Sequence, residues 1–316
     1  MTVRYSRQWG RTELGRALIA VFGWPNVVPR VGGLFPGITT PIPGGSPVGL
    51  PVAVESAARS FLARYDTLYL QWSGGVDSTL VAAALLHYRK KQRLILTTSD
   101  QSARDAPAGL LELLLERGVE AEPFDIDRMK AITQAGGMVV TGHHADSIML
   151  GELADAKKLH DDIWHMTPLE MIQVNAECEV TKARILLRQL EPVIGLMPFE
   201  RTAANIAWWL DFTCCWDPDE MQPYLQQGLT PGDIGYEAFF KSSLFQRWAM
   251  QDVRNKTGRT ETTKKEQYVE LVERFLGSRF TFVKNIIDEQ LCLPDSPIHS
   301  DQVLLIDEQY HITYVS

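Results

Sequence analysis

Sulfur pairing is nearly absent from this sequence. Its 316 residues include four cysteines, Cys178, Cys214, Cys215 and Cys292, and no CxxC pair. Adjacent Cys214 and Cys215 are badly placed to bridge one another or to build a zinc knuckle. Free thiols in a reducing compartment are therefore expected. Basic excess is lacking too: 31 Lys and Arg stand against 39 Asp and Glu, a net charge of −8. That balance argues against a polynucleotide substrate without excluding a local basic patch. No uninterrupted apolar run approaches the roughly 20 residues that cross a bilayer. The first 23 residues mix charge into their apolar positions and hold no clear h-region, so no secretion signal is expected. There is no repeat of fixed period and no low-complexity segment. What is present is 45% apolar residues, enough for a substantial core in one large or two modest domains. The expectation is a soluble, cytoplasmic, globular protein with no membrane partner.

Along the chain, residues 11–22 read as a helix, and 24–51 hold a dense Pro/Gly stretch that no regular element tolerates. From residue 52 the pattern turns rhythmic. Helix is expected at 52–64, strand at 67–72, helix at 77–91, strand at 93–99 and helix at 104–117. A strand at 119–124, a helix at 126–135 and a strand at 137–141 follow. Such alternation signals an α/β fold, a doubly wound parallel sheet with right-handed connections. Past residue 150 the strand signal fades into helices near 167–177, 180–190, 200–210, 235–256, 263–276 and 279–290. The tail at 303–315 reads as two short strands about a turn at Glu308-Gln309. The expected division is an N-terminal segment 1–51, a nucleotide-binding α/β domain 52–160 and a mostly helical substrate domain 161–316 that ends in a β-hairpin.

The chain leaves the first sheet strand through Ser73-Gly74-Gly75 and enters a helix. Paired glycines let backbone N–H groups converge into an anion nest, and the helix adds its positive end. Asp77 and Ser78 fall in the first helical turn, where the hydroxyl can donate to phosphate and the carboxylate can hold Mg²⁺. The Walker pattern is excluded because no Lys follows the glycines, and the spacing S-G-G-x-D-S is not GxGxxG. The plain alternative is a capped helix start with incidental glycines.

This hexapeptide resembles the signature of the PP-loop (N-type) ATP pyrophosphatases, with their adenine nucleotide alpha hydrolase-like fold. The resemblance implies ATP and Mg²⁺ as cofactors. It also places the adenine and ribose at the end of the second strand, near Thr97, Thr98 and Ser99. A second stretch, VVTGHHADSIMLGEL at 139–153, resembles the asparagine-synthetase segment SGxGADExxGG at Thr141-Gly142, Ala145-Asp146 and Gly151. By that likeness Asp146 joins Asp77 around the metal, and Gly142 and His143 line the cofactor. His143 and His144 depart from the usual acidic-glycine pair and Ser147 from the following acid. The same run is also similar to the AHHxxD segment of tRNA-lysidine synthetases and tRNA thiolases, so the branch stays open.

Residue 2 is Thr and the N-terminal segment is short, so no cis glutaminase is expected. Nitrogen would come from free ammonia, from a partner supplying ammonia or an amine, or from the acceptor. Beyond residue 235, several cations form a local positive balance in an acidic chain. Lys264 and Lys265, at a helix start, are the first candidates for neutralising leaving pyrophosphate, and Lys264 is taken with Asp77 and Asp146 as the catalytic set. The resulting expectation is a carbon–nitrogen ligase: ATP adenylates a small-molecule acceptor at a carboxylate or carbonyl, pyrophosphate leaves, and an amine displaces AMP. The alternatives are nitrogen or sulfur transfer to a nucleobase or tRNA, and a nucleotide-binding regulator without turnover. PP-loop enzymes are often dimers, which makes a homodimer a further expectation.

Overall fold

A computed structural model describes residue 17 and residues 48–149, 161–198, 200–214, 235–250, 265–282, 303–306 and 312–315. The expectations for 11–22 other than residue 17, for most of the Pro/Gly stretch, for Gly151, Lys264 and the turn at 308–309, and for 283–290, lie outside these residues; the helix expected from 279 is not formed at 279–282, which follow the left-handed Gly277 in irregular backbone.

Five parallel strands form one sheet: β1 Thr67–Gln71, β2 Arg93–Thr98, β3 Glu120–Pro123, β4 Met138–Thr141 and β5 Tyr236–Ala238, in the order β3-β2-β1-β4-β5. The first four match the expected strands to within about a residue. Helices lie on both faces, and period-two alternation explains how. Leu68, Leu70, Leu94, Leu96 and Val140 point into the large core. That core holds helices α1 (Leu50–Arg64) and α2 (Val76–Tyr88). Tyr69, Ile95 and Val139 point the other way, onto Met129 and Ile132 of another helix, Ile126–Gln134. Strands buried on both faces read as continuous apolar runs, as LYL and LIL do here.

The helix expected over 104–117 is two helices. α3 (Asp100–Asp105) starts four residues early because Ser99 and Ser102 cap each other: Ser102 N donates to Ser99 Oγ at 3.0 Å and Ser99 N to Ser102 Oγ at 2.8 Å. Pro107, with no N–H to donate, interrupts the run. Gly109, at φ 76°, lets the chain re-enter helix as α4 (Leu110–Glu116). The helix Ile126–Gln134 becomes α5, capped by Asp125, and α6 (Ala145–Ile148) follows β4.

Beyond residue 160 come α7 (Pro168–Asn175), α8 (Val180–Ile194) and α9 (Ala203–Cys214), all expected from the sequence. α9 is apolar nearly all round, as a helix enclosed by others must be. Trp208 and Trp209 are fully buried, and Trp209 Nε1 donates to Val193 O at 2.8 Å.

The 235–256 segment corrects the expectation of a helix. It opens as β5, turns through a 3₁₀ element at Phe239–Lys241, and only then forms α10 (Ser243–Ala249), capped by Ser242. Two forces override the helical look of YEAFF. β5 pairs with the free edge of β4, with Tyr236 opposite Val139 and Thr141 opposite Ala238. Arg64 at the end of α1 also grips Glu237 in bidentate fashion at 2.8 and 3.1 Å. The chain then returns in α11 (Glu266–Leu276), which packs along α2. The tail forms the expected antiparallel pair, β6 (Val303–Ile306) and β7 (Ile312–Val315).

Candidate functional site

The strand order reverses between β1 and β4, so the turns that leave their carboxyl ends stand side by side. The β1 turn has a fixed shape. Trp72 is buried, and its indole N–H donates to Thr79 Oγ1 at 3.1 Å. Ser73 N donates to Ser78 Oγ at 3.1 Å, the two serine hydroxyls lie 3.1 Å apart, and Ser78 Oγ–H reaches Gly75 O at 3.3 Å. Ser78, expected on phosphate, here buttresses the turn.

Gly74 takes φ 78°, and a Cβ there would stand 2.3 Å from Ser102 O and 2.9 Å from Ala106 N of the α3 region. Only glycine fits. Gly75 is different: its φ of −74° suits any residue, and a Cβ would meet only Ser73 Oγ at 3.4 Å. It is the N-cap of α2 and gives that end no side-chain cap. The first amides of a 13-residue helix are therefore left without a capping side chain beside the glycine turn.

The β4 turn closes against this end. A Cβ on Gly142 would lie 3.2 Å from both Cα and N of Ser78, so the absent side chain sets the spacing between the two turns. Half-buried His143 and buried His144 follow, their ring centroids 6.3 Å apart. His144 holds the left-handed conformation at φ 70°, uncommon for a non-glycine residue. Its carbonyl accepts from Ile148 N at 3.0 Å, which opens α6 and places Asp146 within that short helix. Thr141 ends β4 fully buried, and among the described residues its Oγ1 has no hydrogen-bond partner.

The third component arrives from far along the chain. Lys265 is the N-cap residue of α11, and its Nζ lies 2.6 Å from Asp77 Oδ2. The two side chains are 28% and 23% exposed, so the pair is partly shielded from solvent. Three residues on, the buried Tyr268 hydroxyl donates to Ala145 O at 3.0 Å. One helix turn thus touches both the glycine turn and the β4 turn. The other end of α11 is fastened by Arg117, whose guanidinium donates to Leu276 O at 2.6 Å, just before Gly277 at φ 63°. Of the two lysines singled out in the sequence, it is Lys265 whose ion pair the structure shows. Tyr268 was not anticipated; its only sequence signal is its place one turn after that lysine.

At the end of β2, Thr97 is buried, Thr98 Oγ1 donates to Glu122 O at 3.2 Å, and the Ser99 hydroxyl serves the α3 cap. Asp100 is the first residue of that helix.

Among the described residues no group of three or more His, Cys, Asp and Glu side chains could hold a metal ion. Mg²⁺ needs only one or two carboxylates when phosphate and water supply the remaining oxygens. Asp77 fits that role, since its carboxylate already engages a cation, the Lys265 ammonium. The assembled arrangement offers uncapped amides, a helix N-terminus and a lysine for an anion, with a carboxylate for its counterion. No protein-family model matches the chain, and no curated protein matches it.

Proposed function

We propose that this chain is an ATP pyrophosphatase of the PP-loop class, with a doubly wound, adenine nucleotide alpha hydrolase-like domain. The observation that carries the reading is the meeting of Lys265 with Asp77, in the first turn of a helix whose N-terminus follows a rigid S-G-G turn. Ligands of open α/β sheets sit outside the carboxyl ends of the strands, where the order reverses. Phosphate favours helix N-termini for their free amides and positive end.

In this reading the Ser73–Ser78 turn receives the β- and γ-phosphates of ATP, with Gly75 leaving room for an oxygen where a side chain would stand. Lys265 shifts from Asp77 toward the phosphates and neutralises the charge that grows on pyrophosphate as it leaves. Asp77, with Asp146 from the adjoining turn, would hold Mg²⁺, which when bound screens the phosphate oxygens. An acceptor oxygen attacks the α-phosphorus and the bond to the β-phosphate's bridging oxygen breaks. Ammonia or an amine then displaces AMP from the adenylate. The residues mainly position and stabilise charge, because phosphoryl transfer asks little covalent help. Small-molecule acceptors carrying a carboxylate or carbonyl are the substrate class.

The test is product identity. Incubated with ATP, Mg²⁺ and a metabolite extract, the protein should yield AMP and pyrophosphate with a mass-shifted acceptor, and Asp77→Ala should abolish both. Release of ADP and orthophosphate would sink the proposal.

A further inference from the structure

Asp77 is the second residue of α2, so its carboxylate stands in the same helical turn as the uncapped amides that follow the S-G-G turn. The charge that answers it is an ammonium, Lys265 Nζ at 2.6 Å from Asp77 Oδ2. Both side chains are largely shielded from water, where salt screens a charge pair less than on an open surface. The pair is neutral as it stands. The carboxylate already holds a cation, and the ammonium already holds an anion.

The two partners differ in their freedom to move. The backbone of Lys265 is pinned: its carbonyl accepts from Tyr268 N at 2.9 Å and from Val269 N at 3.0 Å. The fully buried Tyr268 ties the same turn to Ala145 O, and Arg117 fastens the far end of α11 at Leu276 O. What can swing is the lysine's own four-carbon stem, which is flexible and ends in a point charge. Asp77 has a short stem on a helix whose first turn is held by the Trp72–Thr79 bond and by the approach of Gly142 to Ser78. A ligand that parts the pair therefore moves the lysine.

A free divalent cation approaching Asp77 meets the ammonium first, and two like charges then compete for one carboxylate. A polyanion meets the opposite situation. It draws the ammonium away, and the carboxylate left behind is open to a cation. Resting on the proposed function, we propose that Lys265 is a built-in stand-in cation that keeps Asp77 closed to free metal until a polyphosphate takes the lysine away. Anion and metal then bind with positive cooperativity, and metal alone does not bind first. Such coupling is reciprocal, so the metal strengthens the anion by the factor with which the anion strengthens the metal. The empty site stays neutral and forms no dead-end complex with free metal.

The experiment measures the two ligands separately on the full chain, well below its melting point. Electron paramagnetic resonance counts bound Mn²⁺, used in place of Mg²⁺, with no anion present. Calorimetry follows inorganic tripolyphosphate in buffer stripped of metal. Lys265→Met should bind Mn²⁺ about tenfold or more tightly than the parent does. Lys265→Arg keeps the charge and should match the parent, and the gain should vanish when Lys265→Met is combined with Asp77→Asn. Asp77→Asn alone should bind tripolyphosphate about tenfold more tightly than the parent, because the lysine no longer has to leave a carboxylate. Lys265→Met should bind it more weakly. A merely structural ion pair would not move the two affinities in opposite directions, since damage to the fold weakens both. If Lys265→Met gains nothing for Mn²⁺, or gains as much in the double variant, the stand-in role is refuted, while tripolyphosphate binding by the parent keeps the phosphate turn standing. An unchanged tripolyphosphate affinity in Asp77→Asn refutes it likewise. If neither the parent nor Asp77→Asn binds tripolyphosphate, the proposed function falls as well.

Discussion

Lys265 Nζ and Asp77 Oδ2 lie 2.6 Å apart across 188 positions of sequence, joining the start of one helix to the first turn of another. The proposed function gives this contact an expected signature that a purely structural pair would lack. The pair is largely shielded, at 28% and 23% exposure, so Lys265→Met should lower the melting temperature, because the Asp77 carboxylate loses its cation in a mostly buried position. It should also lower the rate of pyrophosphate release by about 100-fold or more, as expected for removing a group aimed at developing charge. Stopped-flow detection of pyrophosphate on protein held well below its melting point checks this, and a purely stabilising lysine would show the stability loss alone.

The paired glycines should part company on mutation. Gly74→Ala forces a side chain into a left-handed position and against the Ser102 carbonyl, so it should destabilise by about 1–3 kcal/mol or more. Gly75→Ala meets no obstacle and should match the parent or gain up to about 1 kcal/mol. Its added methyl nevertheless stands beside the uncapped amides, so tripolyphosphate binding should weaken in a protein that melts normally. Chemical denaturation paired with calorimetric titration reads both quantities.

Tyr268→Phe deletes one hydroxyl and leaves the buried Ala145 carbonyl without that donor. A loss of about 1–3 kcal/mol in denaturant unfolding is expected. Amide exchange should rise in the β4 turn rather than in α8 or α9.

Acid sensitivity has a local source in α7. Glu170 accepts from the Thr167 backbone N–H at 2.7 Å, and that bond, with one to the Thr167 side chain, holds its carboxyl below the usual range. A depressed folded value means that the stabilisation is complete above the unfolded carboxyl pKa and is lost as pH falls through the folded one. Glu170→Ala should therefore matter at neutral pH and become indistinguishable from the parent in acid. Thr167→Ala, which removes the reciprocal cap, should cost about 1 kcal/mol at neutral pH. Melting curves from pH 7 to strongly acidic buffer measure both.

Much of this architecture was legible because the signals were local. LYLQ, RLIL and MVV are strand-like in any context, and the S-G-G-x-D-S turn declares itself between a strand and a helix. Pro107 was visible too, but the single helix expected over 104–117 gave it too little weight. What stayed hidden depends on distant partners. β5 is three residues long and becomes a strand only because β4 offers an edge and Arg64 a clasp for Glu237. Lys264 and Lys265 are indistinguishable on paper, and the ion pair of Lys265 with Asp77 appears only in the fold.

The reach of α11 also sets a timetable for synthesis. Asp77 leaves the ribosome long before Lys265 and Tyr268 do, and the fifth strand of the sheet also emerges late. A nascent chain halted at residue 200 already contains both turns but has neither the lysine nor the tyrosine that tie them together. Under the proposed function, prematurely terminated products should therefore bind nucleotide without turning it over.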